Sequence, residues 1–352
     1  MSETVTSGDT RAVEQLPLET LEKYLKGRIP NFNGPLRASK FPGGQSNPTF
    51  KLQAASGTYV LRRQPPGELL RSAHAVDREF RVMSALASTE VPVPAVLHLC
   101  EDRDLIGSQF YVMEYCEGRI FWDAALPQVD KTQRGAIYDD MNRMLAGLHS
   151  VDIEAAGLAD YGKPGNYFRR QLDRWSRQYR ASEIEPIAAM DTLISQLGST
   201  LPEDDGRIAL VHGDYRLDNV IFDPVKPRAI ALLDWELSTL GHPFADLAYQ
   251  CMQMRMPADG DKMAGLMGMD RQALGIPTEE EYVARYCARM GIDRIDCWAF
   301  CLAFSFFRLA AIIQGVAKRA QTGNASNKNA VRMGALVDPV ARFALDILQQ
   351  EG

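Results

Sequence analysis

The sequence predicts an α+β protein of two lobes: a small, mostly antiparallel sheet carrying one main helix, then a large, mostly helical lobe. Three observations predict it. Short runs of β-branched and aromatic residues, punctuated by Gly, Pro and Ser, crowd residues 36–115. From about residue 116 the apolar residues recur at helical spacing. Within that second region the block 208–236 returns to β-forming residues and carries the polar run His212-Gly213-Asp214-Tyr215-Arg216-Leu217-Asp218-Asn219. At 352 residues the chain is long enough for two lobes.

Residues 1–15 read as a mobile tail, polar and without the apolar stretch of a signal peptide. The lobe spanning 16–115 opens with Leu16, Leu18, Leu21 and Leu25, the spacing of a short amphipathic helix. Leu36–Phe41, Thr49–Gln53 and Thr58–Arg63 read as three strands, with the turn sequence Pro42-Gly43-Gly44-Gln45-Ser46-Asn47-Pro48 between the first two. Val76, Phe80, Met83 and Leu86 place a helix over 73–88, and Val91–Leu97 and Phe110–Tyr115 suggest two further strands. The second lobe, 116–352, starts with a helix from Asp130 to His149, opened by a capping-box pattern at Asp130 and Gln133. Helices follow over Tyr167–Arg180 and Ile184–Leu197. Three strands are expected at Ala209–His212, Val220–Phe222 and Ala229–Leu233, and helices again over 243–256 and 278–350.

Composition narrows the function classes. A net charge of −6 argues against a general nucleic-acid binder, which carries a basic footprint. The six cysteines form no C-x-x-C pair and match no zinc spacing, so they read as reduced thiols of a cytoplasmic protein. Cys297–Val316 is apolar enough to raise the question of a membrane span, but Arg308 and Gln314 interrupt it. A buried core helix is the better reading.

The chemistry concentrates in residues 212–219 and in Asp234. Asp214 can accept the proton of an attacking hydroxyl and orient it for in-line displacement. Arg216 can stabilise charge on a transferring phosphoryl group. Asn219 and Asp234 offer oxygen ligands of the kind that Mg²⁺ takes together with phosphate. Gly43, Gly44 and Ser46 form a loop whose backbone N–H groups can approach phosphate oxygens. Arg62, on the third strand, can meet α- and β-phosphate oxygens, steered by a carboxylate on the following helix. Glu79 is the natural partner, with Asp77 and Glu68 as rivals. His212 reads as structural, Asp246 as the opening of a helix that braces the loop, and Asp218 as a cap or substrate contact.

These residues resemble the aminoglycoside phosphotransferase and choline kinase superfamily, relatives of the protein kinases, over about residues 36–320. The pattern H-G-D-x-x-x-x-N followed by D-W-E carries the likeness. The resemblance implies a bilobal protein-kinase-like fold and an ATP- and Mg²⁺-dependent phosphotransferase. It also implies a hinge at Met113–Gly118, where backbone groups of Glu114 and Cys116 read adenine. The wider texture is similar to the phosphotransferase-like domain associated with acyl-CoA dehydrogenases, in Tyr59–Gly67, Tyr167–Trp175, His212–Asn219 and Phe307–Gly315. Some members of that branch phosphorylate hydroxyacyl-CoA intermediates, and a separate dehydrogenase would then act on the product. Arg62 stands where the superfamily usually has Lys, which changes the geometry of phosphate contact. The short stretch from Asp234 to Pro243 leaves no room for a protein-kinase activation segment.

The acceptor is less legible. Acidic residues between 255 and 300 would suit an aminoglycoside, whereas the Met and aromatic residues of that region favour an acyl acceptor. Helices at about 250–345 are expected to wall the acceptor site, and the arginines of helix 167–180 offer contacts to CoA phosphates. A hydroxyacyl-CoA or hydroxy acid is the favoured acceptor, an aminoglycoside, amino alcohol or sugar the alternative. A non-catalytic nucleotide-binding module is the rival from another class.

Overall fold

A computed structural model describes residues 16–41, 47–65, 75–258, 264–322 and 334–351. They form two compact units. One contains the described residues up to Arg119 together with Ile230–Glu236; the other contains Ile120–Ala229 and the described residues from Leu237 onward. The division near residue 119 falls just past the expected boundary. The return of residues 230–236 to the first unit was not anticipated, because a linear reading assigns each stretch to its sequence neighbours.

The first unit is a five-stranded antiparallel sheet in the order β1-β2-β3-β5-β4, with two helices. Helix α1 (Leu18–Lys26) buries Leu21 and Leu25 among Phe50, Leu52, Leu61, Phe110 and Val112. Strands β1 (Arg37–Lys40), β2 (Thr49–Ala54) and β3 (Gly57–Arg63) follow the expected order. Ala54 pairs with Gly57 across a tight turn, and Thr49 with Arg62 at the other end of the ladder. Period-two alternation sends the neighbouring Arg62 and Arg63 to different partners. The Arg63 Nε donates to Ser108 Oγ at 2.8 Å, whereas Arg62 meets helix α2 (Val76–Leu86) through Glu79.

Strand β4 (Val96–Cys100) starts five residues later than expected. Pro92 and Pro94 supply no N–H to a ladder, so the stretch before Val96 cannot pair as a regular strand. Strand β5 (Phe110–Glu114) lies between β3 and β4 and is buried over its first four residues.

In the second unit, helix α3 (Lys131–His149) is capped by Asp130, whose carboxylate accepts the Gln133 N–H at 2.8 Å. Helix α4 (Tyr167–Ser182) buries Phe168, Leu172, Trp175 and Tyr179 on one face. Helix α5 (Ala188–Ser199) begins after Pro186 rather than at Ile184, because the residue before a proline is driven from helical to extended conformation. Strand β6 (Ala209–Val211) leads into the chemistry-bearing loop, which closes with a 3₁₀ turn at Leu217–Asn219. Strand β7 (Val220–Phe222) follows, and β8 (Ala229–Leu232) carries the chain across into the first unit. Strand β9 (Thr239–Gly241), which the sequence reading missed, pairs antiparallel with β6.

Helix α6 (Phe244–Met252) passes into a 3₁₀ turn at Gln253–Arg255, followed by the short α7 (Arg271–Leu274). The stretch expected as helical over 278–350 is broken. Helix α8 (Glu279–Met290) opens with a Thr278–Glu281 capping box and ends at Gly291, whose φ of 65° stops it. Helix α9 (Trp298–Thr322) is the apolar run considered as a membrane span, and 83% of its most apolar window is buried inside the protein. It packs against α4, α6 and helix α10 (Val337–Glu351), as a core helix does.

Candidate active site

In the first unit, β3, α2 and the 230–236 segment bring one guanidinium among three carboxylates. Glu79 is buried to 1% exposure and accepts from Arg62 Nε at 2.9 Å, Asn47 Nδ2 at 2.8 Å and the Tyr111 hydroxyl at 3.1 Å. Arg62 Nη2 reaches Asp234 Oδ1 at 2.6 Å and Glu236 Oε2 at 3.6 Å. Burial alone would favour a neutral guanidine. The charges of Glu79 and Asp234 outweigh it and raise Arg62 above its ordinary value. Asp77 points to solvent, so Glu79 is the partner; Glu68 lies outside the described residues. So do Gly43, Gly44 and Ser46.

Asp234 has a φ of 64°, a left-handed conformation uncommon for a residue with a side chain. The turn around it is fastened on both sides. Leu232 N–H donates to Pro92 O at 2.8 Å, and the Trp235 indole N–H donates to Leu232 O at 3.0 Å. Strain held in place at a carboxylate is characteristic of functional sites.

Glu114, expected to read adenine, has its N–H committed to Ala95 O at 2.9 Å, and its carboxylate accepts the Ala95 N–H. Adenine reading at that residue would fall to its carbonyl. The Cys116 thiol lies 3.6 Å from the same carboxylate, and burial together with that charge pushes it up to about 12.

In the second unit the loop after β6 is built around Asp246. This carboxylate is buried and accepts the N–H groups of His212 at 2.6 Å and Gly213 at 2.8 Å. His149 Nε2 lies 3.4 Å away, and its Nδ1 meets the Tyr286 hydroxyl at 2.7 Å. Burial alone would raise Asp246, but these donors hold it below its ordinary value of 3.8. Asp246 lies inside the first turn of α6 rather than capping it, and its carboxylate serves the loop instead. Gly213 has a φ of 82°, and a Cβ there would fall 2.7 Å from Leu237 O, so the backbone admits only glycine.

Asp214 follows on this anchored backbone. Its N–H donates to His212 Nδ1 at 3.2 Å. Asn219 Nδ2 donates to Asp214 O at 2.9 Å and to Asp214 Oδ2 at 3.1 Å. Arg216 Nε lies 3.4 Å from Asp214 Oδ1, while its Nη2 donates to Asp218 Oδ2 at 2.8 Å. Asp218 is thus the carboxylate that holds Arg216.

Two residues that the sequence reading did not single out complete this loop. Tyr249 is buried, and burial followed by the charge of Asp214 raises the phenol's pKa. Arg308, on α9, donates to Gly213 O and lies between the rings of Trp175 and Tyr249, 5.3 and 4.9 Å from their centroids. A lone arginine inside an apolar helix was the available signal for Arg308; nothing in the sequence marks Tyr249.

The donors fit a hard divalent cation with phosphate. They are oxygen atoms, and the three carboxylates around Arg62 exceed its charge. Among the described residues no three His, Cys, Asp or Glu side chains gather into a free-standing metal centre.

The arrangement defines a class, a kinase-like phosphotransferase with a carboxylate at its transfer loop. The chain belongs to the phosphotransferase enzyme family, which matches residues 37–290. It is 50% identical over 348 residues to mouse acyl-CoA dehydrogenase family member 10, covering 98% of this chain and 32% of that protein. It is 44% identical over 345 residues to rat acyl-CoA dehydrogenase family member 11, covering 95% of this chain and 44% of that protein. The chain therefore spans less than half the length of these curated relatives. A Ralstonia eutropha crystal structure, provisionally described as an aminoglycoside phosphotransferase, superposes with a TM-score of 0.87 at 46% identity. The match covers 96% of this chain and 99% of that one. A thermostable mutant of an aminoglycoside phosphotransferase, solved with ADP and hygromycin B, shares the fold, with a TM-score of 0.62 at 13% identity over 95% of this chain and 99% of that one.

Proposed function

We propose that the protein is an ATP- and Mg²⁺-dependent O-phosphotransferase that moves the γ-phosphoryl group to a hydroxyl of a small molecule. The observation that carries this reading is the anchored Asp214 loop, with Asn219, Arg216 and Tyr249 bonded or close to the Asp214 carboxylate. Asp214 orients the acceptor hydroxyl and takes its proton late in the transfer, since an alcohol is too weak an acid to be ionised beforehand by a carboxylate. Arg216 stabilises negative charge that develops on the phosphoryl oxygens. Asp234 and Asn219 Oδ1 are the groups that would hold Mg²⁺, and Arg62, positioned by Glu79, meets the nucleotide phosphates. When bound, the cation neutralises charge on the phosphate oxygens. Arg62 Nη2 is paired to Asp234, which places the phosphate-binding guanidinium beside the proposed cation ligand.

The favoured acceptor is a hydroxyacyl-CoA or hydroxy acid. Support comes from the fate of the acidic residues that would otherwise suit a polycationic aminoglycoside. Glu279 is bound by Arg255 at 2.6 Å and by the Trp298 indole, Glu281 closes a capping box, Asp270 caps α7, and Asp296 is paired with Arg294. Asp259 and Asp261 lie outside the described residues. The apolar residues of the region give no comparable support: Met252, Met254, Phe300, Phe304 and Phe307 are buried in the core. Of the α4 arginines, Arg170 and Arg180 are taken by local partners, which leaves fewer for CoA phosphates. The relatives' names accord with an acyl acceptor, with a separate acyl-CoA dehydrogenase acting on the product in the cytoplasm.

The test is mass spectrometry of products from purified protein, Mg²⁺-ATP and an acceptor panel of hydroxyacyl-CoAs, free hydroxy acids, aminoglycosides, choline and sugars. A phosphorylated acyl product that disappears in Asp214→Asn is the expected result. A phosphorylated aminoglycoside alone would replace the acceptor class. Nucleotide binding with no product from any acceptor would favour a regulatory module instead.

A further inference from the structure

Two cysteines of the second unit form a pair that phosphoryl transfer does not use. Cys297 immediately precedes α9, and its carbonyl accepts the Cys301 N–H at 3.0 Å. The two residues are therefore one helical turn apart, and their sulfur atoms lie 3.7 Å from each other. Cys301 is fully buried, whereas Cys297 is half-buried and lines a cavity of about 220 Å³. Arg207, Arg294 and His242 share that lining with the acidic residues Asp204, Asp205 and Asp296. The cavity is distinct from the transfer loop: His242 follows Gly241, which pairs with Ala209 at the end of β6 away from Asp214.

The electrostatics separate the two thiols. The hydrogen bond with Cys301 lowers Cys297 below its ordinary value against the effect of burial; Asp205 opposes the lowering, and Arg207, itself paired with Asp205, adds less to it. Burial, and the same hydrogen bond seen from its other end, raise Cys301. One thiol is thus accessible and inclined to ionise, and the second waits behind it as a proton donor. Cys116 gives an internal contrast. It is also half-buried, but it lies beside Glu114, which opposes its ionisation.

We propose that Cys297 and Cys301 are a hydroperoxide-reactive dithiol, with Cys297 as the attacking sulfur and Cys301 as the resolving one. The Cys297 thiolate attacks the terminal oxygen of the hydroperoxide. The O–O bond breaks, an alcohol leaves with a proton, and Cys297 becomes a sulfenic acid. The Cys301 sulfur then attacks Cys297, an S–S bond forms, the S–O bond breaks, and water departs with the Cys301 proton. Two thiols are oxidised and one hydroperoxide is reduced to alcohol and water. Residues one helical turn apart have Cα atoms roughly 6 Å from each other, within the span a disulfide accepts. Cys297 lies at the helix start, where its side chain can turn toward Cys301 without breaking interior hydrogen bonds.

The experiment treats the purified full chain with about one equivalent of hydrogen peroxide and follows it by intact mass and by peptide mapping after alkylation. The expected result is a loss of two hydrogens, with a Cys297–Cys301 link, and Cys297 reacting about tenfold faster than Cys116. In Cys301→Ser the reaction should stop at a Cys297 sulfenic acid that dimedone traps. Cys297→Ser should abolish the link. Wild-type mapping alone is decisive if a variant fails to fold. Oxidation spread over Cys116 and Cys297 at similar rates, or a Cys297 that stays reduced, would overturn the proposal.

Discussion

Around Arg62 three carboxylates converge on one guanidinium; around Asp214 a network of donors holds one carboxylate. The first region pairs its functional groups with one another. The second region directs its buried interactions at the backbone. Asp246, Arg308 and Asn219 hold the carbonyl and N–H groups of His212–Asp214, and the Asp214 carboxylate is left at the rim with Asn219, Arg216 and Tyr249. A binding site can tolerate rearrangement, whereas a group that positions a proton acceptor gains from being built in place beforehand. On this account, lesions at Arg62 and Asp234 change nucleotide affinity and a lesion at Asp214 changes turnover.

The largest expected effect that would break the comparison is on Asp214. Asp214→Asn should lower kcat by about 10²–10⁴ while ATP affinity stays within a factor of two or so. Steady-state kinetics beside calorimetry checks it, and equal losses in both would merge the two regions. Asp246→Ala comes next, because it leaves two buried N–H groups and His149 without their acceptor. It should cost about 3 kcal/mol in denaturant unfolding. The same carboxylate sets a pH signature. Its native pKa is depressed below 3.8, so its stabilisation is complete above that value and is lost as pH falls through the native pKa. Acid unfolding curves of the wild type and Asp246→Asn should therefore converge at the lowest pH.

Arg62→Met should weaken Mg²⁺-ATP binding by about tenfold or more, with Arg62→Lys intermediate, since lysine retains the charge but not the fork that spans Glu79 and Asp234. The smallest effect sharpens the second region. Tyr249→Phe removes the hydroxyl whose titration feels the Asp214 charge and should lower kcat by about tenfold, leaving the KM for ATP unchanged. A rise in that KM with kcat intact would place Tyr249 in nucleotide binding.

What was legible in the sequence follows from how locally each feature is encoded. Asp214, Arg216 and Asn219 lie within one loop, so their spacing was readable, and the β-rich flanks around that loop were readable with them. Asp234 could be found because it ends a strand, but its positive φ could not. Asp246 was legible as a brace through its place in Gly241–Asp246, although its position inside the helix was not. Tyr249 and Arg308 reach the loop through tertiary packing, Arg308 from 95 residues beyond Gly213. Strand β4 was misplaced because the valines around Pro92 and Pro94 outweighed the missing N–H groups in the reading, whereas a ladder cannot ignore them. Strand β9 is three residues long and exists because β6 pairs with it. The second unit's large aromatic and Met content looked like an acceptor wall from composition, yet most of it fills the core around α9, a distinction only burial can make.

The division of labour between the two regions is tested most directly by calorimetric titration of ATP, with Mg²⁺ present, into wild type, Asp214→Asn and Asp234→Ala side by side. The account predicts near-wild-type affinity for Asp214→Asn and at least about tenfold weaker, less Mg²⁺-dependent binding for Asp234→Ala. Undiminished, Mg²⁺-dependent binding in Asp234→Ala, with the loss falling on Asp214→Asn instead, would contradict it.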